Sequence, residues 1–217
     1  IILTLTLSFF IFTGFAQEKA LKQYGFWDNW YIQLQGGASY FLGEYSQEAD
    51  FTDLLTPQVA LSVGKHFNPV YGARLQFSGW QNKTRYLDNS DAIRKINYAQ
   101  GSLDGLINLT NLFTKFNGEK GFNLYLIGGV TYLHRFDKHG LGTANIVGPH
   151  AGIQADLRLS SALSLNLEAS APFLHDRFNG IKGGEPYDVP VNGLLGLTYR
   201  FNKSVFEVAD ILDPAQI

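Results

Sequence analysis

The sequence predicts an all-β fold, an eight-stranded antiparallel up-and-down transmembrane β-barrel, and three features support this prediction. Apolar residues alternate with polar or small residues along most of the chain, which is the period of a strand. The alternation divides into eight segments, most of them about 10 to 13 residues long, the length that a tilted strand needs to cross a bilayer. Short and long connections follow one another, which is typical of outer-membrane barrels.

Segments one to four each have one apolar face and one polar face. They occupy residues 30–40, 58–67, 73–78 and 99–110. In segment one, Gln33 and Gln35 alternate with aliphatic and aromatic residues. Segment three is short, but Arg74 still alternates with apolar neighbours. Segment four replaces several apolar residues by glycine and places Asp104 on the polar face, so strand periodicity is kept throughout.

Segments five to eight continue the same pattern. They occupy residues 122–132, 150–159, 163–171 and 191–201. Segment five is the most apolar, and segment seven is the cleanest because Asn166 and Glu168 alternate with leucine and alanine. No apolar stripe of helical period interrupts these segments, so no helix is predicted among them.

The connections predict which end of the barrel carries the large loops. Residues 68–71, 113–121 and 160–162 form short connections, whereas residues 41–56, 81–97, 135–146 and 172–189 form long polar ones. In outer-membrane barrels the short turns face the periplasm and the long loops face outward. An even number of strands therefore predicts that both termini of the barrel lie on the periplasmic side.

Alternation alone does not tell whether the apolar face points outward, to lipid, or inward, as in a soluble lipocalin-like barrel. The polar face is mainly Gln, Ser, Asn, Thr and Gly, not the Lys and Glu expected of a solvated surface. Aromatic residues cluster near the segment ends, where interfacial girdles occur. These features favour an apolar outer wall. Lys65 breaks the pattern, and we expect it to extend to the lipid headgroups near its strand end.

Six charged residues fall on the predicted inner face and form a candidate lumen network. They are Arg74, Asp104, Asp156, Arg158, Glu168 and Arg200. From strand position we expect Asp104 and Glu168 near mid-height and the other four closer to the periplasm. Because eight strands leave an interior that side chains can fill, these residues predict a plug of ion pairs and hydrogen bonds. A narrow or gated water path through the network is the alternative.

The remaining sequence features set the domain boundaries and exclude several functions. Residues 1–16 predict a secretory signal peptide, residues 17–29 a periplasmic segment, residues 30–201 the barrel, and residues 202–217 a periplasmic tail or linker. The absence of cysteine excludes disulfides and thiolate chemistry. A net charge of −2 with no basic run argues against nucleic acid. No cofactor or metal site is predicted.

The last strand carries a more specific pattern. Residues 192–201 end in Leu197, Tyr199 and Phe201, and they resemble the terminal-strand signal by which outer-membrane barrels are recognised for insertion. With the stretches at 37–40 and 158–168, the chain resembles the barrel domain of the OmpA family over about residues 26–201. The resemblance implies contact with outer-membrane lipid and lipopolysaccharide, handling by the barrel-insertion machinery, and peptidoglycan binding through a periplasmic domain that family members carry after the barrel. Residues 202–217 contain no peptidoglycan-binding motif, and a barrel-only protein is the alternative.

Histidine and acidic residues near the predicted outer rim are the candidates for catalysis. They are His134, Asp137, His139, His150, His175 and Asp176. Some outer-membrane barrels modify lipids with such residues, but here no nucleophile stands at a fixed spacing from them, so we expect no enzyme activity. A metal site formed by His134, Asp137 and His139 matches no established ligand spacing.

The sequence therefore leaves five functions, of which a soluble lipocalin-like carrier is the weakest. The first is a structural outer-membrane barrel that supports the envelope, with a plugged lumen. A small porin or channel is an alternative, as is an adhesin or receptor that uses the long loops. The weakest outer-membrane alternative is a lipid-modifying enzyme.

Overall fold

The computed structural model describes residues 24–42, 51–85, 93–114, 116, 120–136, 142–175, 187–201 and 206. The strands are β1 (Trp30–Leu42), β2 (Thr56–His66), β3 (Tyr71–Arg85), β4 (Ile93–Asn108), β5 (Phe122–Phe136), β6 (Ala144–Arg158), β7 (Leu163–Pro172), β8 (Leu174–His175) and β9 (Tyr187–Arg200). Two short helices are also described, α1 (Phe51–Leu54) and α2 (Leu109–Phe113). Among the described helices, none is long and apolar enough to cross a membrane.

The long strands form one closed antiparallel barrel. Each pairs with the next along the chain, and β1 pairs with both β2 and β9. Leu34, for example, lies opposite Leu61 on one side and Leu197 on the other. The two-residue β8 adds only to the start of β9. The predicted fold class, with eight barrel strands in the described part of the chain, is therefore confirmed.

The side chains alternate as the sequence predicts, with polar groups inside and apolar groups outside. Gln33 is 1% exposed, whereas its neighbour Leu34 is 65% exposed. Glu168 and Leu167 show the same contrast on β7. A wall of exposed aliphatic and aromatic side chains suits lipid, because water would not favour so large an apolar surface.

Strand ends differ from the prediction at the end with the long connections, called here the long-loop end. Residues 81–97 were predicted as a loop, but β3 and β4 continue pairing up to Arg85 and Ile93. Strands β5 and β6 likewise extend into the loop predicted at 135–146. Beyond the bilayer the outer face of these strands no longer contacts lipid, while inner-face residues such as Ile96 and Ile146 stay buried. The backbone ladder therefore continues although the outer face is no longer apolar.

The opposite end, called here the short-turn end, also contains an element that the sequence pattern did not predict. Strand β4 stops at Asn108, and α2 follows in place of the last residues of the predicted segment four. The side-chain oxygen of Asn108 caps α2 by accepting a hydrogen bond from the backbone N–H of Asn111 at 3.0 Å. A local capping bond therefore ends the strand.

The predicted signal peptide, residues 1–16, lies outside the described residues. So does the predicted tail at 202–217, apart from Phe206, whose ring contacts Tyr24 at a centroid distance of 5.1 Å. Residues 24–29 lead into β1 at the short-turn end, with a turn at 26–29.

Candidate functional site in the barrel lumen

The centre of the lumen holds one arginine between two carboxylates. We call Arg74, Asp104 and Glu168 the Arg74 centre. Nη2 of Arg74 lies 2.9 Å from Oδ2 of Asp104, and Nη1 lies 2.6 Å from Oε2 of Glu168. All three side chains are fully buried. Ionised groups at such depth are tolerated only when they are paired and hydrogen-bonded, so this centre fixes the interior.

Glutamine side chains surround the Arg74 centre. Nη1 of Arg74 also donates to Oε1 of Gln33 at 3.3 Å and to Oε1 of Gln154 at 3.2 Å. On the other side, Nε2 of Gln35 donates to Oε2 of Glu168 at 3.2 Å. Neutral amides thus supply the hydrogen bonds that the charged groups still need after pairing, which is the condition for keeping them buried.

His150 is the member of the network that sequence reasoning missed. Its Nδ1 lies 2.7 Å from Oδ1 of Asp104, the oxygen that Arg74 does not contact. The alternation of β6 does place His150 on the inner face with Gln154 and Asp156. The pairing register, which brings it to the level of Asp104 through Gly129 on β5, could not be read from one sequence.

A second ion pair lies closer to the short-turn end. Nη2 of Arg200 is 3.3 Å from Oδ2 of Asp156, and its Nη1 donates to Oγ of Ser164 at 2.6 Å. Gln154 links the two pairs, since its Oε1 accepts from Arg74 while its Nε2 donates to Oδ1 of Asp156 at 2.7 Å. The charges therefore belong to one connected network.

One detail of the predicted network is different in the structure. Arg74 was expected lower than Asp104, but the two are direct partners in the β3–β4 register. Arg158, also predicted in the network, lies at the end of β6, where its Nε donates to the carbonyl of Ser160 at 3.2 Å in the β6–β7 turn. Its membership of the network stays a prediction.

Apolar layers bound the polar interior on both sides. Toward the short-turn end, Tyr31, Leu106, Tyr125 and Ile127 form one buried cluster. Toward the long-loop end, another buried cluster consists of Ile96, Tyr98, Leu133, Ile146 and Leu174. The ring of His66 stacks on the rings of Tyr31 and Tyr125, with centroids 5.0 and 5.6 Å apart. Apolar side chains thus flank the Arg74 centre toward both ends, while Gln154, Asp156 and Arg200 continue the polar network toward the short-turn end.

The sequence predicts that Lys65 extends to the lipid headgroups, whereas in the structure its ammonium binds the turn before β1. Its Nζ donates to the carbonyls of Asp28 at 2.9 Å, of Gly25 at 3.3 Å and of Phe26. The ammonium also lies 5.1 Å from the ring centroid of Phe26 and 5.7 Å from that of Trp30. Carbonyl oxygens and aromatic faces here replace the water that a lysine at the edge of a lipid-facing wall would otherwise seek. Lys65 therefore fastens the turn that precedes β1.

The predicted insertion signal lies on the outer wall. Leu197, Tyr199 and Phe201 are all partly exposed, and the two aromatic rings pack edge to face at 5.5 Å. Tyr199 is near the end of β9, and Phe201 follows the strand directly. These residues accordingly form an exposed aromatic ending of the last strand at the short-turn end.

The candidate catalytic residues do not assemble within the described part of the chain. His134 points outward on β5, with Nδ1 2.6 Å from Oδ1 of Asn145, whereas His150 points into the lumen. Asp137, His139 and Asp176 lie outside the described residues, and so does the side chain of His175. In the described ranges no group of three or more His, Asp or Glu side chains could hold a metal ion.

Comparison with known proteins agrees with this architecture. The chain is 28% identical over 205 residues to outer membrane protein 40 of Porphyromonas gingivalis, covering 88% of this chain and 50% of that protein. It is 27% identical over 221 residues to outer membrane protein 41 of the same organism, covering 94% and 54%. The chain spans about half the length of these curated relatives. No family model matches it.

Solved structures with the same fold include two outer-membrane barrels. Neisserial surface protein A superposes with a TM-score of 0.54 at 8% identity, covering 80% of this chain and 97% of that one. The outer membrane protein OprG of Pseudomonas aeruginosa gives a TM-score of 0.52 at 14% identity, with 80% and 97% covered. These likenesses concern the fold. Together with the apolar wall and the outer membrane relatives, they define this chain as a transmembrane β-barrel protein of the outer membrane.

Proposed function

We propose that this chain is a structural barrel that supports the outer membrane and catalyses no reaction, with a lumen closed by its own side chains. The fully buried Arg74 centre carries this proposal. An eight-stranded barrel has an interior about wide enough for side chains to fill, and here ion pairs, amides and two apolar layers occupy it. A permanent path for solutes would leave the arginine and its carboxylates in contact with water.

The proposal extends to the partners that an OmpA-like barrel implies. The apolar wall contacts outer-membrane lipid and lipopolysaccharide, and the ending formed by Leu197, Tyr199 and Phe201 is the segment that the barrel-insertion machinery recognises. Both barrel termini lie in the periplasm in this view. We assign peptidoglycan binding to the whole protein, through a periplasmic domain joined to the barrel, and not to the barrel itself.

Single-channel conductance of the refolded chain in a planar bilayer tests the closed lumen. Insertion is checked separately by heat-modifiable migration on a gel. We expect inserted protein with little or no steady current. Stable large openings in wild-type protein would contradict the proposal and assign the chain to transport.

A small channel is the second candidate, and one observation favours it. Between the Arg74 centre and the long-loop apolar layer, several buried polar atoms of the described residues have no hydrogen-bond partner. They include Nε2 of Gln58, Oε1 of Gln100, Nε2 of His150 and Oδ1 of Asn192. Each such group costs about 1–3 kcal/mol unless water serves it, so this part of the lumen is suited to hydration.

The two candidates predict different currents when side chains are removed from the apolar layer toward the long-loop end. For a closed barrel, Leu133→Ala combined with Tyr98→Ala should leave the current unchanged, because the Arg74 centre still blocks the lumen. For a gated channel, the same change should raise the frequency of small openings. The outward-facing pair Leu103→Ala and Tyr132→Ala is the matched control, since it removes comparable side chains from the lipid-facing wall.

A further inference from the structure

Resting on the orientation proposed above, with the long-loop end outward, we propose that Lys83 and Lys95 form a binding site on the barrel wall for the phosphate of a glycolipid in the outer leaflet. The two residues are direct partners in the β3–β4 register. Side chains of such partners point to the same face, with Cβ atoms about 4.5–5.5 Å apart. We call Lys83 and Lys95 the lysine pair.

The lysine pair faces outward. On β4, Ile96 and Tyr98 are buried in the lumen, so Lys95 lies on the opposite face of the strand and is exposed. Lys83 shares that face because it is the register partner of Lys95. The pair is thus directed away from the lumen network.

Two ammonium groups in this arrangement repel each other. Like charges directly opposite on paired strands destabilise a sheet. Among the described residues, no carboxylate forms an ion pair with either lysine; the carboxylates that do form ion pairs contact Arg74, His150 and Arg200. A phosphate between the two ammonium groups would convert the repulsion into two charge-assisted contacts, which is why an anion suits this position.

The height of the lysine pair identifies the source of the anion. On β3, the exposed apolar side chains of the outer face are Tyr71, Leu75 and Phe77. Counted from Tyr71, Lys83 lies twelve residues along the strand, which is about 41 Å and, at a tilt of about 40°, about 31 Å along the barrel axis. The apolar band of an outer-membrane barrel is about 25 Å tall, so Lys83 lies about 6 Å beyond it, within the headgroup layer.

The outer face below the lysine pair changes from apolar to hydrogen-bonding groups. One step lower, Nε2 of Gln81 donates to Oδ1 of Asn97 at 2.9 Å. A further step lower, Oδ1 of Asn145 accepts from the hydroxyl of Tyr132 at 2.9 Å and contacts Nδ1 of His134. Neutral amides suit sugar hydroxyls and ester carbonyls, and the exposed ring of Phe136, the register partner of Asn97, adds an apolar contact beside them. This edge therefore matches a lipid that carries phosphate, sugar and acyl chains together, and it is continuous with the lipid-facing wall.

The experiment measures how tightly the refolded full chain holds lipid A, which is a phosphorylated glycolipid. Lipid A is titrated into protein in neutral micelles, and bound lipid is counted by native mass spectrometry. Replacing both lysines, Lys83→Gln with Lys95→Gln, should weaken binding about tenfold for each lysine. Lys120→Gln with Arg158→Gln removes the same charge at the short-turn end and should leave binding unchanged.

Two further binding measurements distinguish binding at the lysine pair from general electrostatic attraction to the barrel. Lipid A without its phosphates should bind the wild type as weakly as intact lipid A binds the double variant. Inorganic phosphate should compete poorly, because it lacks the sugar and acyl contacts. Equal binding by the double variant, equal loss in the short-turn control, or full competition by millimolar phosphate would each overturn the proposal.

Charge reversal gives a test in which the barrel stays folded. Lys83→Glu places a carboxylate opposite Lys95, which replaces repulsion by attraction. In neutral vesicles this variant should unfold at the same or a higher temperature than the wild type. It should nevertheless gain no stability when lipid A is added, whereas the wild type should. A rise with lipid A as large as that of the wild type would contradict the site.

Discussion

Nδ1 of His150 reaches Oδ1 of Asp104 at 2.7 Å although the two residues stand on strands separated by β5. Gly129 lies between them in the register and makes this contact possible. A Cβ at that position would come within 2.6 Å of Oδ1 of Asp104 and 2.1 Å of the carbonyl of Leu103. A glycine is therefore required where an inward carboxylate bends across a neighbouring strand.

Replacing His150 tests the strength of this contact. His150→Phe removes the donor and leaves one oxygen of Asp104 without its histidine partner, so we expect a loss of about 1–3 kcal/mol in the free energy of unfolding. Urea titration of the barrel in lipid vesicles measures it. His134→Phe, on the outer wall, is the control and should change stability by less than about 0.5 kcal/mol. Equal losses of unfolding free energy in His150→Phe and His134→Phe would show that the His150–Asp104 contact contributes no extra stability.

Removal of Arg74 should be the most damaging single change in the network. Arg74→Met leaves Asp104 and Glu168 buried without their cation, at an expected cost of about 3–5 kcal/mol. Glu168→Gln should cost less, because Arg74 keeps Asp104 and the glutamine oxygen can still accept from it.

Neutralising the whole Arg74 centre provides the check on that prediction. Arg74→Met combined with Asp104→Asn and Glu168→Gln removes the charges together, and it should recover part of the stability lost in Arg74→Met alone. Unfolding free energies of the wild type, the triple variant and the three single variants, Asp104→Asn included, in the same vesicles decide the matter. If the triple variant is less stable than Arg74→Met by the sum of the single effects, the three residues are not coupled.

Tyr31 and Gly64 form a tightly packed pair at the short-turn end. A Cβ on Gly64 would lie 2.3 Å from atoms of the Tyr31 ring. We expect Gly64→Ala to displace the ring and to destabilise the barrel by about 1–3 kcal/mol. In the background Tyr31→Leu the same change should cost much less. A double-mutant cycle of unfolding free energies measures this, and purely additive effects would rule out the clash as the cause.

Lys65 should control access to the turn before β1. In Lys65→Met the three carbonyl acceptors of that turn lose their donor, so chymotrypsin should cleave more rapidly at Phe26 and Trp27, which are exposed. The barrel itself should remain protected. Lys120→Met is the control, since Lys120 contacts only Asn111 and Thr114 among the described residues. Unchanged cleavage in Lys65→Met would show that other contacts hold the turn.

Sequence alternation could assign faces but not heights. It placed Arg74 and Glu168 inside and Leu167 outside, because one residue type sits on each side of a pleated strand. It could not bring Arg74 level with Asp104, or His150 to the same carboxylate, because both depend on the register between strands. Register depends on turn geometry as well as on the hydrophobic pattern, and alternation alone does not distinguish registers that differ by two residues.

Alternation also failed to predict the parts of the strands whose outer face lies beyond the lipid. Lys83 and Lys95 lie in a region predicted as loop, since beyond the bilayer the outer face of β3 and β4 no longer needs apolar residues. Inside the lumen, Leu106 and Leu194 occupy polar-face positions, and their burial reflects packing near the barrel axis. Alternation indicates which face of a strand contacts lipid, but it does not predict which residues of the inner face are apolar.

The partners of Arg74 lie at very different distances along the chain, and this bears on how the barrel assembles. Asp104 is 30 residues away and comes from the adjacent strand, whereas Glu168 is 94 residues away on β7. A hairpin of β3 and β4 can form the first contact early. The contact between Arg74 and Glu168 forms only when the sheet closes and brings β7 across the lumen from β3. An unclosed intermediate therefore keeps Glu168 uncompensated, so the same charges that fill the finished lumen favour completed closure over trapped, open sheets.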